Sequence, residues 1–118
     1  MIILKEFEFD AAHYLPQYNG KCERLHGHTY KLVVKVKGTP DHEGMVIDFT
    51  KLKALVKEKV VDRLDHQLLN DIIPNPSAEC ISLWVWNQLK DELHTDRYHL
   101  YEVEVWETKT SGCIYNGD

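Results

Sequence analysis

"KCERLHGHTYKLVVKV", residues 21–36, decides how the rest of the chain is read. From His26 onward the even positions are His26, His28, Tyr30, Leu32, Val34 and Val36, while Lys31, Lys35 and Lys37 hold odd ones. Successive side chains of a strand point to opposite sides, so this alternation predicts a strand over 26–38 with one buried face. That face begins with two imidazoles, four residues after the thiol of Cys22. The N-terminus has the same period. Ile3, Phe7, Phe9, Ala11 and His13 share the odd positions against Glu6, Glu8 and Asp10, with Lys5 the exception. "PQYNGK", 16–21, supplies turn residues, so the two strands can pair as a hairpin.

Further along, "GTPDHEG" reads as a loop, and "GMVID" can add a short strand. Asp48 or Thr50 can cap a helix of about 50–63, with Phe49, Leu52, Leu55, Val56 and Val60 as its apolar stripe. A second helix starts after Asn75, with Pro76 at its first position or Ser77 as its cap, and runs to about Leu93. Its stripe is Ile81, Trp84, Val85, Gln88 and Leu89. A last strand spans 98–107, with Tyr101, Val103, Val105 and Glu107 on one face and Leu100, Glu102, Glu104 and Trp106 on the other. The order is β-β-α-α-β, an α+β domain over 1–118 with an antiparallel sheet and two helices on one face.

The uncovered face mixes Lys31, Val33, Lys35 and Lys37 with Glu102, Glu104 and Trp106, too polar for a core and too rich in strand formers for a free surface. An open sheet this small also leaves unpaired edges. Closing both against further copies of the chain predicts a homo-oligomer of cyclic symmetry.

With 118 residues, 43% hydrophobic and 28% charged, the chain falls among soluble globular proteins and supports one core. A net charge of −5 argues against a general nucleic-acid partner, so an anionic substrate would need local positive groups or a metal. No signal peptide is evident and no apolar run approaches the roughly 20 residues of a membrane span. The three cysteines, 22, 80 and 113, do not make a disulfide framework, and the cytoplasm is the expected location.

Residues i and i+2 of a strand project to one side, so His26 and His28 can face one ion, with His13 arriving from the neighbouring strand. Three imidazoles from two strand ends make a ligand set for zinc with a fourth position open. The bland alternative is a set of hydrogen-bonded core or surface histidines. Cys22 is either a fourth ligand, closing the site, or a nucleophile or base beside an open one, its thiolate favoured by Lys21 and Arg24. Cys80 reads as a small core residue, and Cys113 has no assignment. Asp65 next to His66 can orient an imidazole for proton transfer. Glu107 closes an apolar strand face, where it is either a salt-bridge partner or a bidentate acceptor for a planar ligand.

The joint order of "FEFDAAH" (7–13), "CERLHGHTY" (22–30), "GMVIDF" (44–49), "LDHQLLN" (64–70), "NPSAE" (75–79) and "ETKTSGCIY" (107–115) resembles the pterin synthases of the tunnelling fold. That family makes 6-carboxytetrahydropterin or 6-pyruvoyltetrahydropterin. The resemblance implies zinc on His13, His26 and His28, Cys22 as base, Asp65 and His66 as relay, and Glu107 as anchor of the pterin's 2-amino and N3–H edge with a catalytic relay role as well. It also implies a substrate, 7,8-dihydroneopterin triphosphate, and subunits closing into a trimeric barrel that stacks into a hexamer with shared sites. Three residues between Cys22 and His26, and "SGCIY", resemble the carboxy-forming branch of 7-deazaguanine (queuosine) biosynthesis. Where the family often has two adjacent hydroxyls, this chain has Ser77 then Ala78, leaving Ser77 and backbone amides for the pterin. Lys21 and Arg24 are the candidates for the phosphates. The competing readings are pyruvoyl formation on the same scaffold and a non-catalytic zinc protein with Cys22 as a ligand.

Overall fold

A computed structural model of the chain describes residues 1–16 and 24–118. Strands β1 (Ile2–His13) and β2 (His26–Gly38) form a long antiparallel hairpin, in register from Ile2 opposite Lys37 to His13 opposite His26. Most of the turn expected at 16–21 lies outside the described residues. The even face of β2 is the buried one: Tyr30, Leu32, Val34 and Val36 are fully inaccessible, over Phe9 and Ala11 of β1.

Helix α1 (Phe49–Val56) starts at Asp48, whose carboxylate accepts from Thr50 N at 2.8 Å. Its stripe continues past its end: Leu52, Val56, Val60 and Leu64, each four residues on, are all fully buried. A strict four-residue step overshoots a 3.6-residue turn, so a straight α-helix would rotate Leu64 away from the sheet. A π-helical turn at Lys57–Val61 absorbs the drift and hands over to a last helical turn, Asp62–Leu64. The wider turn also stacks Lys57 over Asp62, five residues on, in a 2.7 Å ion pair. Phe49, expected in the stripe, is instead 53% exposed.

The chain then adds a two-residue strand β3 (Gln67–Leu68), parallel to β1, and a 3₁₀ turn, Leu69–Asp71. Helix α2 (Ala78–Leu89) is capped by Ser77 and buries Ile81, Ser82, Val85 and Leu89. It ends four residues before the expected Leu93, which stays wholly buried because its N–H still bonds Leu89 O at 2.9 Å.

Strand β4 (Tyr98–Trp106) pairs antiparallel with β2, and β5 (Gly112–Tyr115) pairs with β4. The sheet order is β3-β1-β2-β4-β5. The sequence placed Leu100 and Val103 on opposite faces, yet both are buried. Lys35 pairs with Glu102 but Val36 with Leu100, so Tyr101 is an extra residue and the face switches there. No strand forms at "GMVID", and β5 was not expected.

Both helices cover one face, so the fold is α+β with one continuous core. The other face holds Lys35 between Glu102 and Glu104, at 2.6 and 2.7 Å, with Val33 only 5% exposed beside them. Glu104 also accepts from Trp106 Nε1 at 2.9 Å, and Trp106 lies flat over Gly112, where no side chain would fit. Burial pushes the Glu104 carboxyl up, but the Lys35 and Trp106 hydrogen bonds outweigh it and hold it below the usual range. Those carboxylates in turn push the Lys35 ammonium up to about 12. No described helix is long and apolar enough to cross a membrane.

Candidate active site

The hairpin register brings three imidazoles to one end of the covered face. His13 closes β1 directly opposite His26, the first residue of β2, and His28 is two further on the same side. Their ring centroids lie 4.5, 4.8 and 5.1 Å apart, and one nitrogen of each falls within 4.8 Å of the others. His13 is 1% exposed, and its Nδ1 donates to the Pro76 carbonyl at 2.7 Å. His26 Nδ1 donates to the Arg24 carbonyl, also at 2.7 Å. A carbonyl only accepts, so both rings donate from Nδ1, which leaves Nε2 of each as the atom that can bind a metal.

Those two Nε2 atoms face each other at 3.0 Å. At that distance a proton or a metal ion lies between them. The third, His28 Nε2, is buried with no partner among the described residues. Burial holds His28 below the usual imidazole range, against the pull of Glu107 and with the help of His13 and His26, so its lone pair is available as well. Nitrogens on one tetrahedral ion with bonds of about 2.0–2.1 Å sit about 3.3 Å apart, close to the spacing seen here. The donor set fits a divalent metal, and the Pro76 and Arg24 carbonyls hold two of the three rings in place.

Asp65 and His66 lie where the chain leaves α1 for β3. Asp65 Oδ1 accepts from Asp10 N at 3.0 Å, and Oδ2 accepts from His66 Nδ1 at 2.9 Å. His66 N donates back to Asp10 O at 2.6 Å, with His66 held at φ 59°, a conformation unfavourable for a residue with a side chain. These bonds tie the pair to β1 one residue before its pairing with β3 begins. The Asp10 amide first, then His66, holds the Asp65 carboxyl below its usual range. His66 is 77% exposed, so its Nε2 faces outward, and it borders an open cleft shared with Gly27 and His28.

Glu107 follows β4. The last β2–β4 pair is Lys31 with Trp106, and Glu107 comes one residue further on, near enough for its charge to act on Tyr30 and His28. Its amide donates to Ser111 O at 3.0 Å, closing the turn into β5. Among the described residues it joins none of the ion pairs, so the salt-bridge alternative has no partner there. Tyr30 is wholly buried, and burial, then the Glu107 charge, pushes its phenol up.

Ser77 caps α2, its Oγ accepting from Cys80 N at 3.1 Å. Arg24 is exposed, and its described role is through its carbonyl. Lys21 and Cys22 lie outside the described residues. The Pro76 and Arg24 carbonyls and the Asp10 tie were not anticipated. They act through the backbone, which leaves no side-chain signature; only the presence of Pro76 in "NPSAE" marked the segment.

Residues 2–118 match the model of the family described as 6-pyruvoyl tetrahydropterin synthase. The chain is 42% identical to 6-carboxy-5,6,7,8-tetrahydropterin synthase of Synechocystis, over 97% of this chain and 92% of that one. It is 37% identical to the Haemophilus influenzae protein of the same name, over 96% of each. A solved structure of 6-pyruvoyl tetrahydropterin synthase from Caenorhabditis elegans superposes with a TM-score of 0.88 at 28% identity, covering 100% of this chain and 96% of that one.

Proposed function

The chain belongs to the 6-pyruvoyl tetrahydropterin synthase family, and on that premise we propose that it is a zinc-dependent lyase of the carboxy-forming branch. Its substrate is 7,8-dihydroneopterin triphosphate, and its products are 6-carboxy-5,6,7,8-tetrahydropterin, acetaldehyde and triphosphate, in cytoplasmic 7-deazaguanine (queuosine) biosynthesis. The observation that carries the reading is the close approach of His13 and His26 through Nε2, with His28 Nε2 beside them, unpartnered among the described residues, and Glu107 near enough for its charge to act on His28. The names of the relatives at 42% and 37% identity support the carboxy branch, as does the short spacing from Cys22 to His26.

Glu107 accepts the 2-amino and N3–H donors of the pterin in a parallel pair of hydrogen bonds, which fixes the ring. His13, His26 and His28 would hold zinc, which would supply a Lewis acid for the diol of the substrate side chain. Cys22, as thiolate, takes a proton from the side chain. His66 gives or takes one on the opposite side through Nε2, because Asp65 occupies its Nδ1–H. The ring is reduced as the side chain is oxidised, so no external reductant is needed. Triphosphate leaves by elimination, and carbon–carbon cleavage consumes one water, whose oxygen enters the carboxylate as acetaldehyde is released. Lys21 and Arg24 hold the phosphates, and Ser77 offers its hydroxyl hydrogen to the pterin.

The working form is a homo-oligomer, a barrel of three subunits stacked in pairs. β3 covers only Ala11 and Ala12 of β1 and the Asp65–His66 pair takes up Asp10, which among the described residues leaves the backbone from Ile2 to Glu8 as an open edge. Ile2 and Leu4 on that edge are 45% and 48% exposed. An edge of that length invites pairing with another copy. The outward-facing His66 can then serve a neighbour's site.

The test is to incubate zinc-loaded protein with 7,8-dihydroneopterin triphosphate and identify every product by mass spectrometry. Acetaldehyde with 6-carboxytetrahydropterin supports the assignment. A pyruvoyl product without acetaldehyde moves the chain to the sister branch, and no turnover at all overturns the enzymatic reading.

A further inference from the structure

Two buried side-chain polar atoms lack a hydrogen-bond partner among the described residues, His28 Nε2 and the Tyr30 hydroxyl. The first is accounted for by a metal. The second is not. The Tyr30 ring has little freedom: it stacks on Phe9 at 5.1 Å and 11°, and lies edge-on to His13 at 5.9 Å and His28 at 5.4 Å. Phenylalanine would fill the same space without the cost of an unpaired buried hydroxyl. A tyrosine there calls for a partner that arrives with a ligand.

The sheet register supplies a candidate. Glu107 directly follows Trp106, the β4 partner of Lys31, and its charge acts on both Tyr30 and His28, which places its carboxylate near this end of the sheet. Glu107 is half-buried, in no described ion pair, and close enough for its charge to act on the phenol. A carboxylate has about four acceptor positions. Two ring N–H donors leave capacity for a further donor.

We propose that Tyr30 is a positioning residue, whose hydroxyl donates to the Glu107 carboxylate when a pterin is bound and so fixes the plane in which Glu107 meets the ring. This rests on Glu107 being the pterin anchor. The hydroxyl has no partner among the described residues and gains one in the complex, so it favours binding over the unliganded state.

The experiment measures neopterin affinity by fluorescence, and the melting temperature without ligand, for the zinc-loaded wild type, Y30F, E107Q and the double variant. Y30F is expected to weaken neopterin binding about 10- to 100-fold, the range for a hydrogen bond to a charged group. Its ligand-free melting temperature should be unchanged or higher, and the double variant should bind no worse than E107Q. Wild-type affinity in Y30F, losses that multiply in the double variant, or a lower ligand-free melting temperature each overturn the proposal. If E107Q also binds as wild type, or wild type does not bind, the anchor assignment falls and this proposal with it. Weak E107Q beside intact Y30F removes only the role of Tyr30.

Discussion

Replacing Asp65 by Asn isolates the proton-transfer step from metal and pterin binding. The Asp65 carboxylate accepts twice, from Asp10 N at 3.0 Å and from His66 Nδ1 at 2.9 Å. A carboxamide has one oxygen and cannot accept in both places. The backbone donor is fixed by the strand, so the oxygen stays on Asp10 N and the new NH₂ turns toward His66. His66 Nδ1 must then become the acceptor, moving the ring's proton to Nε2, the atom meant to collect one. General acid–base catalysis contributes about 10²- to 10⁴-fold, and D65N is expected to lose kcat in that range. Zinc content and neopterin affinity should stay at wild-type values, since no metal or pterin contact is touched. Steady-state kinetics with nitrogen NMR of His66 reads both the loss and the tautomer. Activity within threefold of wild type, or a flipped tautomer with full activity, would refute this reasoning.

Replacing Cys22 by Ala is expected to abolish turnover while zinc, read by elemental analysis, stays at one per chain; loss of zinc would make the thiol a fourth ligand. Leu32→Ala should cost about 2–5 kcal/mol in chemical denaturation, because the fully buried side chain sits mid-strand in the continuous core. The Lys35–Glu102–Glu104 cluster predicts two pH limits on stability, read as the difference between wild type and K35M. Lys35 is raised in the folded state, so its contribution is complete below its unfolded value and fades as pH rises through about 12. Glu104 is lowered, so its contribution holds above the ordinary carboxylate range and fades as pH falls through its depressed value.

The parity of β1 and β2 was readable because a strict two-residue period has one interpretation, and it located the histidine cluster through the register alone. In β4 the same rule failed at Tyr101, since a bulge inserts a residue without any local sequence mark and moves Leu100 to the covered face. The π-helical turn in α1 was hidden for a similar reason: Leu52, Val56, Val60 and Leu64 fit a helix, and only their cumulative drift demands a wider turn. β5 was too short, at four residues, to show a period of its own. Within the site, His13, His26, His28 and Glu107 were legible as side chains out of place on an apolar face. The carbonyls that aim the ligands were not, because any residue could have supplied them.

X-ray absorption at the zinc edge of protein loaded with one equivalent of zinc tests the central claim most directly. Three imidazole nitrogens and one oxygen at about 2.0–2.1 Å are expected, with no sulfur in the shell. A sulfur at about 2.3 Å, or a failure to hold zinc at all, would contradict an open three-histidine centre.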